Sequence, residues 1–125
     1  MNTLIIRNKS EILYLPLEQT LYIQADGNYC NIYLADGSVL GTLTYQRAEI
    51  ARMMQEQLSE GNWKQFVLLG RSYLINTKYV LRVQPSKQIL TFNVNQFGTI
   101  QKIQLRATKN ALNQFIANMY DVCSK

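Results

Sequence analysis

A mainly β fold with one central helix and one short C-terminal helix is what this chain of 125 residues predicts. Three observations carry the expectation. Short runs rich in Ile, Leu, Val, Tyr and Thr follow one another along most of the chain, with turn signals between them at close intervals. In Tyr29 to Leu34, the residues Cys30, Ile32 and Leu34 alternate with Tyr29, Asn31 and Tyr33, a period of two with one drier face. Only twice does the apolar spacing lengthen to three and four residues, the mark of an amphipathic helix.

In chain order, Leu4 to Arg7 and Glu11 to Tyr14 flank Asn8-Lys9-Ser10 and read as a hairpin. Pro16, which has no N–H, should interrupt pairing before Thr20 to Ala25 opens a third strand. Asp26-Gly27-Asn28 turns the chain into Tyr29 to Leu34, and Asp36-Gly37 turns it into Val39 to Gly41. From Thr44 to Leu58 the period changes: Ile50, Ala51, Met54 and Leu58 share a face, with Leu43 before them, and Arg47, Glu49, Arg52, Gln55 and Glu56 fill the other. Thr42 or Thr44 is the N-cap candidate and Gly61 the terminator. Met53-Met54 reads as core filling.

Strands resume at Phe66 to Leu69, Tyr73 to Ile75, Tyr79 to Val83, Ile89 to Val94 and Thr99 to Leu105, with Pro85-Ser86-Lys87 and Gln96-Phe97-Gly98 as turns. The last two strands form a hairpin. Ala111, Leu112, Phe115, Ile116 and Met119 then return to helical spacing behind Thr108, the expected N-cap, so the chain should finish in a short helix packed on a sheet. Trp63, Phe66 and Tyr79 read as core or rim aromatics.

Composition narrows the function classes. The length suits one domain, residues 1–125, and 47% apolar against 17% charged residues describes an ordinary globular chain. No apolar run reaches the roughly 20 residues of a membrane span, and the N-terminus lacks the features of a secretion signal, so the chain reads as cytoplasmic. With no histidine, the usual nucleophile relays and the neutral-pH general base are gone, and Asp26 and Asp36 read as turn formers rather than an acid–base pair. Cys30 and Cys123 have no CxxC spacing and read as reduced structural thiols. No phosphate-binding glycine loop is present. The expectation is no enzyme, no metal, no cofactor and no small-molecule substrate.

Charge points to a partner instead. Between Gly61 and Tyr120 stand eight basic residues and no Asp or Glu, a charge of +8, whereas the first sixty residues hold four basic against seven acidic side chains, a charge of −3. A run so free of carboxylates fits an anionic partner, and phosphate backbones are the commonest such surface.

The segment Phe66-Val67-Leu68-Leu69-Gly70-Arg71-Ser72-Tyr73-Leu74-Ile75-Asn76 resembles the signature of LytTR-type DNA-binding domains. Around it the order agrees: Tyr22-Ile23-Gln24-Ala25-Asp26-Gly27-Asn28-Tyr29, an Asp-Gly turn, a helix, the signature, a hairpin, and a basic motif at Leu105-Arg106. The resemblance spans about residues 4–119. It implies small antiparallel sheets stacked on one another, with loops rather than a recognition helix entering successive major grooves of double-stranded DNA, and a homodimer on repeated half-sites. Two departures stand out: Gly70 where the family usually has His before Arg-Ser, and Leu105 where it often has Ser. Gly70 would let backbone approach DNA closely; drift at a position that only needs to turn explains it as well. Response regulators of this family often carry an N-terminal receiver domain. This chain begins at its first strand, so a stand-alone, response-regulator-like transcription factor is expected, controlled by abundance, dimerisation or a partner.

Arg71 and Arg106 occupy the family's base-reading positions, and a guanidinium matches guanine O6 and N7. Each has its own argument. Arg71 sits in a Gly-Arg-Ser turn, where structure alone would favour a small residue; Arg106 ends a strand before a helix N-cap, where a cation gains nothing from the macrodipole and an incoming phosphate does. Asn28 and Tyr29 match the family's other loop, although an Asx turn with a packed tyrosine explains them equally. Ser72, Lys109 and Asn110 would donate to phosphates at the same edge. Lys78, Lys87 and Lys102 add general attraction. Asn76 reads as structural, closing a turn toward Lys78. Two rival readings are a non-enzymatic protein-interaction module that pairs with a related regulator, and single-stranded RNA binding on the eight tyrosines.

Overall fold

Alternation of apolar and polar residues along short strands can bury one face of a sheet; here the middle strands bury both. A computed structural model describes residues 3–7, 10–45, 47–59, 64–96 and 98–123. Among the described residues, ten strands form three antiparallel sheets. Strands β1 (Thr3–Arg7) and β2 (Ile12–Pro16) make the first. The second has five strands in the order β5 (Val39–Leu43), β4 (Tyr29–Leu34), β3 (Thr20–Asp26), β7 (Tyr73–Asn76) and β6 (Phe66–Leu69). The third joins β8 (Val80–Gln84), β9 (Ile89–Gln96) and β10 (Thr99–Arg106). Helix α1 (Arg47–Gln57) follows β5, and helix α2 (Lys109–Cys123) follows β10.

The five-stranded sheet lies between two cores. Ile23, Cys30, Ile32, Phe66 and Leu74 point to one side, into a core completed by Leu4, Leu15, Ile50 and Met54 from β1, β2 and α1. The alternate residues Val67, Leu69 and Ile75 point to the other, against Leu90, Phe92 and Val94 of β9 and Leu112 and Phe115 of α2. A bulge between Thr20 and Tyr22 turns Leu21 into this second core despite its spacing from Ile23. Tyr22 joins the layers: its ring stacks on Tyr33 at 4.5 Å and on Phe92 at 5.6 Å and meets the edge of Tyr73 at 5.8 Å. Burial first, then the neighbouring phenols of Tyr33 and Tyr73, push the Tyr22 phenol up to about 12.

The stacked sheets and the two helices appear as expected, with corrections at element ends. Pro16 does not interrupt pairing; it is the last residue of β2, opposite Thr3, at the end of a strand with a single neighbour, where a missing N–H is tolerated. The first helix begins three residues later than expected, because Thr42 pairs with Asn31 in β5 and the Tyr45 carbonyl accepts the Cys30 thiol at 2.9 Å, keeping the chain tied to the sheet. Tyr79 ends a 3-10 turn, Thr77–Tyr79, rather than opening β8, and its hydroxyl donates to the Glu18 carbonyl. The terminal helix runs 15 residues, longer than expected, and Thr108 caps it by accepting from Ala111 N–H at 3.1 Å. Asp36 forms the foreseen turn: Ser38 donates both its hydroxyl and its N–H to the carboxylate and holds it below the usual carboxyl range. Asn8, Lys9, Gly61, Trp63, Phe97 and the Cys123 side chain lie outside the described residues.

Asn76 is fully buried, and its amide is the polar knot under the sheet. Its Nδ2 donates to the carbonyls of Leu17 (3.2 Å) and Thr20 (2.8 Å), and its Oδ1 accepts from Gln65 Nε2 (2.9 Å) and Lys78 N (3.0 Å). Replacing it strands several buried groups at once, so Asn76→Ala should destabilise by about 2 to 4 kcal/mol in urea unfolding. Asn76→Ser, which keeps a donor and an acceptor, should cost less.

Tyr22 makes a second prediction. The unfolded phenol releases its proton near 10.0, whereas the folded one holds it to about 12. Stability from this group is therefore whole below pH 10 and lost as pH climbs to about 12. Tyr22→Phe should flatten that part of the unfolding midpoint against pH; an unchanged slope would refute the assignment.

Candidate nucleic-acid interface

Antiparallel pairing decides which loops share an end of a sheet. Strand β3 runs toward Asp26 beside β7, which runs away from Tyr73, with Gln24 opposite Tyr73. The β3–β4 turn at residues 26–28 and the β6–β7 turn at residues 70–72 therefore emerge side by side. Ala25 N–H donates to the Ser72 carbonyl at 2.6 Å and fastens one to the other. Beneath them Tyr33 donates to Gln24 Oε1 at 3.1 Å, and Gln24 Nε2 lies 3.5 Å from the Tyr73 hydroxyl.

The third contributor comes from the other sheet. Arg106 ends β10 opposite Ile89, and Ala107 N–H donates to the Gln88 carbonyl at 3.2 Å, so the β8–β9 turn lies against the start of α2. The first turn of α2 in turn packs on the β6–β7 turn. A Cβ built on Gly70 would lie 3.6 Å from the Ala111 Cβ, and residues 69–73 with Ala107, Thr108 and Ala111 line one open depression. Four loops thus converge on one end of the molecule.

These loops hold four cations. Arg71, Lys87, Arg106 and Lys109 are exposed, and among the described residues none of them is held in an ion pair. An ion pair that forms elsewhere, Arg52 with Glu56 at 3.8 Å, lies on α1 with both side chains exposed and is worth little. Asp26 is the carboxylate the four loops carry, leaving four positive charges against one negative. Nothing offsets the dipole of α2, whose first turn has no acidic residue.

Of the residues singled out from sequence, Asn28, Tyr29, Arg71, Ser72, Arg106, Lys109 and Asn110 are brought to this end, all exposed. Tyr29 is 51% exposed, so it is not a packed tyrosine. Lys78 is not brought there. It follows β7 at the opposite end of the five-stranded sheet, with Nζ 5.6 Å from the ring centre of Tyr79. Lys87, expected from sequence to add general attraction, stands in a turn that adjoins Arg106; the signal for this is the β9–β10 register, since a full-length hairpin pairs Ile89 with Arg106. Among the described residues no three His, Cys, Asp or Glu side chains cluster as a metal site needs, and no helix is long and apolar enough to cross a membrane.

The sequence matches the LytTr DNA-binding domain profile over residues 10–113. The chain belongs to the LytTR family. No curated relative matches the sequence. Among solved structures, one similar to this LytTR chain is described as the LytTr DNA-binding domain of a methyl-accepting/DNA response regulator from Bacillus cereus, with TM-score 0.56 over 100% of this chain and 99% of that one. At 10% identity that likeness shows the fold.

The departure at Gly70 has a backbone reason. Its φ is +61°, in the left-handed region, where glycine is unstrained and residues with a Cβ are not. The nearest neighbour of an added Cβ is at ordinary contact distance, so the cost of Gly70→Ala is conformational, about 1 to 2 kcal/mol of stability in urea unfolding. Gly70→Asn, better suited to that φ, should recover part of the loss.

Proposed function

We propose that this LytTR domain binds double-stranded DNA sequence-specifically as a cytoplasmic transcription regulator, with its loops in successive major grooves. The observation that carries the proposal is the convergence of Arg71 and Arg106, exposed and in no ion pair among the described residues, on one end of the molecule, where the β6–β7 turn and the start of α2 line one depression and the Ala25–Ser72 bond fastens the neighbouring turn. Loops fastened at both sides lose little freedom on binding, which favours discrimination over mere attraction. Arg71 and Arg106 read guanine edges bidentately. Asn28 and Tyr29, on the adjoining turn, meet the groove between them. Ser72, Lys109 and Asn110 hold phosphates, helped by the free N–H groups at the start of α2. Lys87 adds a phosphate contact beside Arg106, and Lys78, at the far end, adds only to the long-range field. Two copies on repeated half-sites would double the recognised length.

Selection of bound fragments from a random duplex library supplies the site for the test. Neutralising about five phosphates gives a log-log salt slope near −4 to −5. Arg71→Ala should cost about 1 to 3 kcal/mol on the selected site and relax preference at one base, while Lys87→Ala weakens selected and scrambled duplexes alike. Equal losses on both duplexes for Arg71→Ala would reject direct readout. A shallow slope would favour a protein-interaction module instead.

A further inference from the structure

The register of the three-stranded sheet creates a second cationic surface beside the loops. Leu90, Phe92 and Val94 of β9 face the core, so Thr91, Asn93 and Asn95 lie on the opposite face, where Asn93 and Asn95 are exposed and Thr91 is buried. Pairing extends the outward rows: Gln104 and Arg82 flank Thr91, Lys102 lies opposite Asn93, and Arg106 lies opposite Ile89, whose other neighbour is Gln84. Arg82, Lys102 and Arg106 are exposed, and β8, β9 and β10 carry no carboxylate. Strand geometry, at about 3.4 Å per residue and 4.8 Å between strands, sets these three cations roughly 12 to 14 Å apart.

That spread is too wide for one small anion. It suits a repeating polyanion such as a DNA strand, which presents a phosphate every ~3.4 Å of axis. The amides between the cations can donate to phosphate and sugar oxygens without reading sequence. The apolar side chains Leu81 on one edge strand and Ile100 on the other are exposed, and Ile89 sits at a margin, so they are scattered instead of forming the apolar centre that protein partners use. Arg106 is the corner common to this face and the loops.

We infer that the outer face of the β8–β10 sheet holds the duplex flanking the segment contacted by the loops. The inference rests on the loop reading proposed above. Binding is compared for a short selected site and for the same site with one helical turn of arbitrary flanking sequence on each side. The wild type should gain affinity from the flanks. Arg82→Ala with Lys102→Ala should abolish that gain, make the salt slope on the extended duplex shallower by about 2, and leave the short duplex within about twofold. The charge-conserving pair Arg82→Lys with Lys102→Arg should retain the gain, and an unchanged melting temperature verifies the fold. Equal losses on both duplexes, or none on the extended one, overturn the inference. If the wild type binds the short site through Arg71 but gains nothing from flanks, this inference alone fails; if it binds no duplex, the loop reading fails with it.

Discussion

The pairing of β3 with β7 is the constraint on which the rest of this structure depends. Gln24 and Tyr73 meet although 49 residues separate them. Closing so long a loop costs entropy that grows only slowly with length, and burial on both faces of the sheet offsets it. Once these strands pair antiparallel, two turns with no sequence proximity must emerge at the same edge. The bond from Ala25 to Ser72 then fixes their spacing. Shift the pairing by one residue and every core side chain on β7 would change face.

A sheet buried on both sides needs its polar groups satisfied from within. Asn76 does so at one end, binding four partners at once, and the Tyr33–Gln24–Tyr73 set does so nearer the loops. Tyr22 links the layers by stacking instead, on Tyr33 within its sheet and on Phe92 across the second core. Such a frame limits relative movement of the loops, which makes side-chain spacing at the cationic end a property of the fold.

Charge is sorted by the same topology. Of the acidic residues beside the ends of β3 and β4, Glu18 and Asp36 lie toward the end that also holds Lys78, and Asp26 lies among the four clustered loops. Arg71, Lys87, Arg106 and Lys109 crowd the other end, where the N-terminus of α2 adds its partial positive charge. Repulsion among these exposed cations is reduced by solvent screening.

Much of this was legible from residue order. Period-two alternation marked the strands, Asp-Gly pairs marked the turns, the spacing of Leu112 and Phe115 marked the last helix, and the carboxylate-free run announced an anionic partner. Element ends were less legible: Pro16 pairs because its strand ends there, and Thr42 stays in a strand because Asn31 opposite it holds it. Which cations lie together was legible only in part: the family resemblance set Arg71, Arg106 and Lys109 at one edge, but it did not place Lys87 there or keep Lys78 away. Lys78 and Arg71 are near in sequence yet at opposite ends of β7, whereas Lys87 and Arg106 are far in sequence yet adjacent through one hairpin register. Local chemistry is written in neighbouring residues, so elements and charge were determined by the sequence directly; convergence of loops is long-range geometry, and only tertiary pairing decided it.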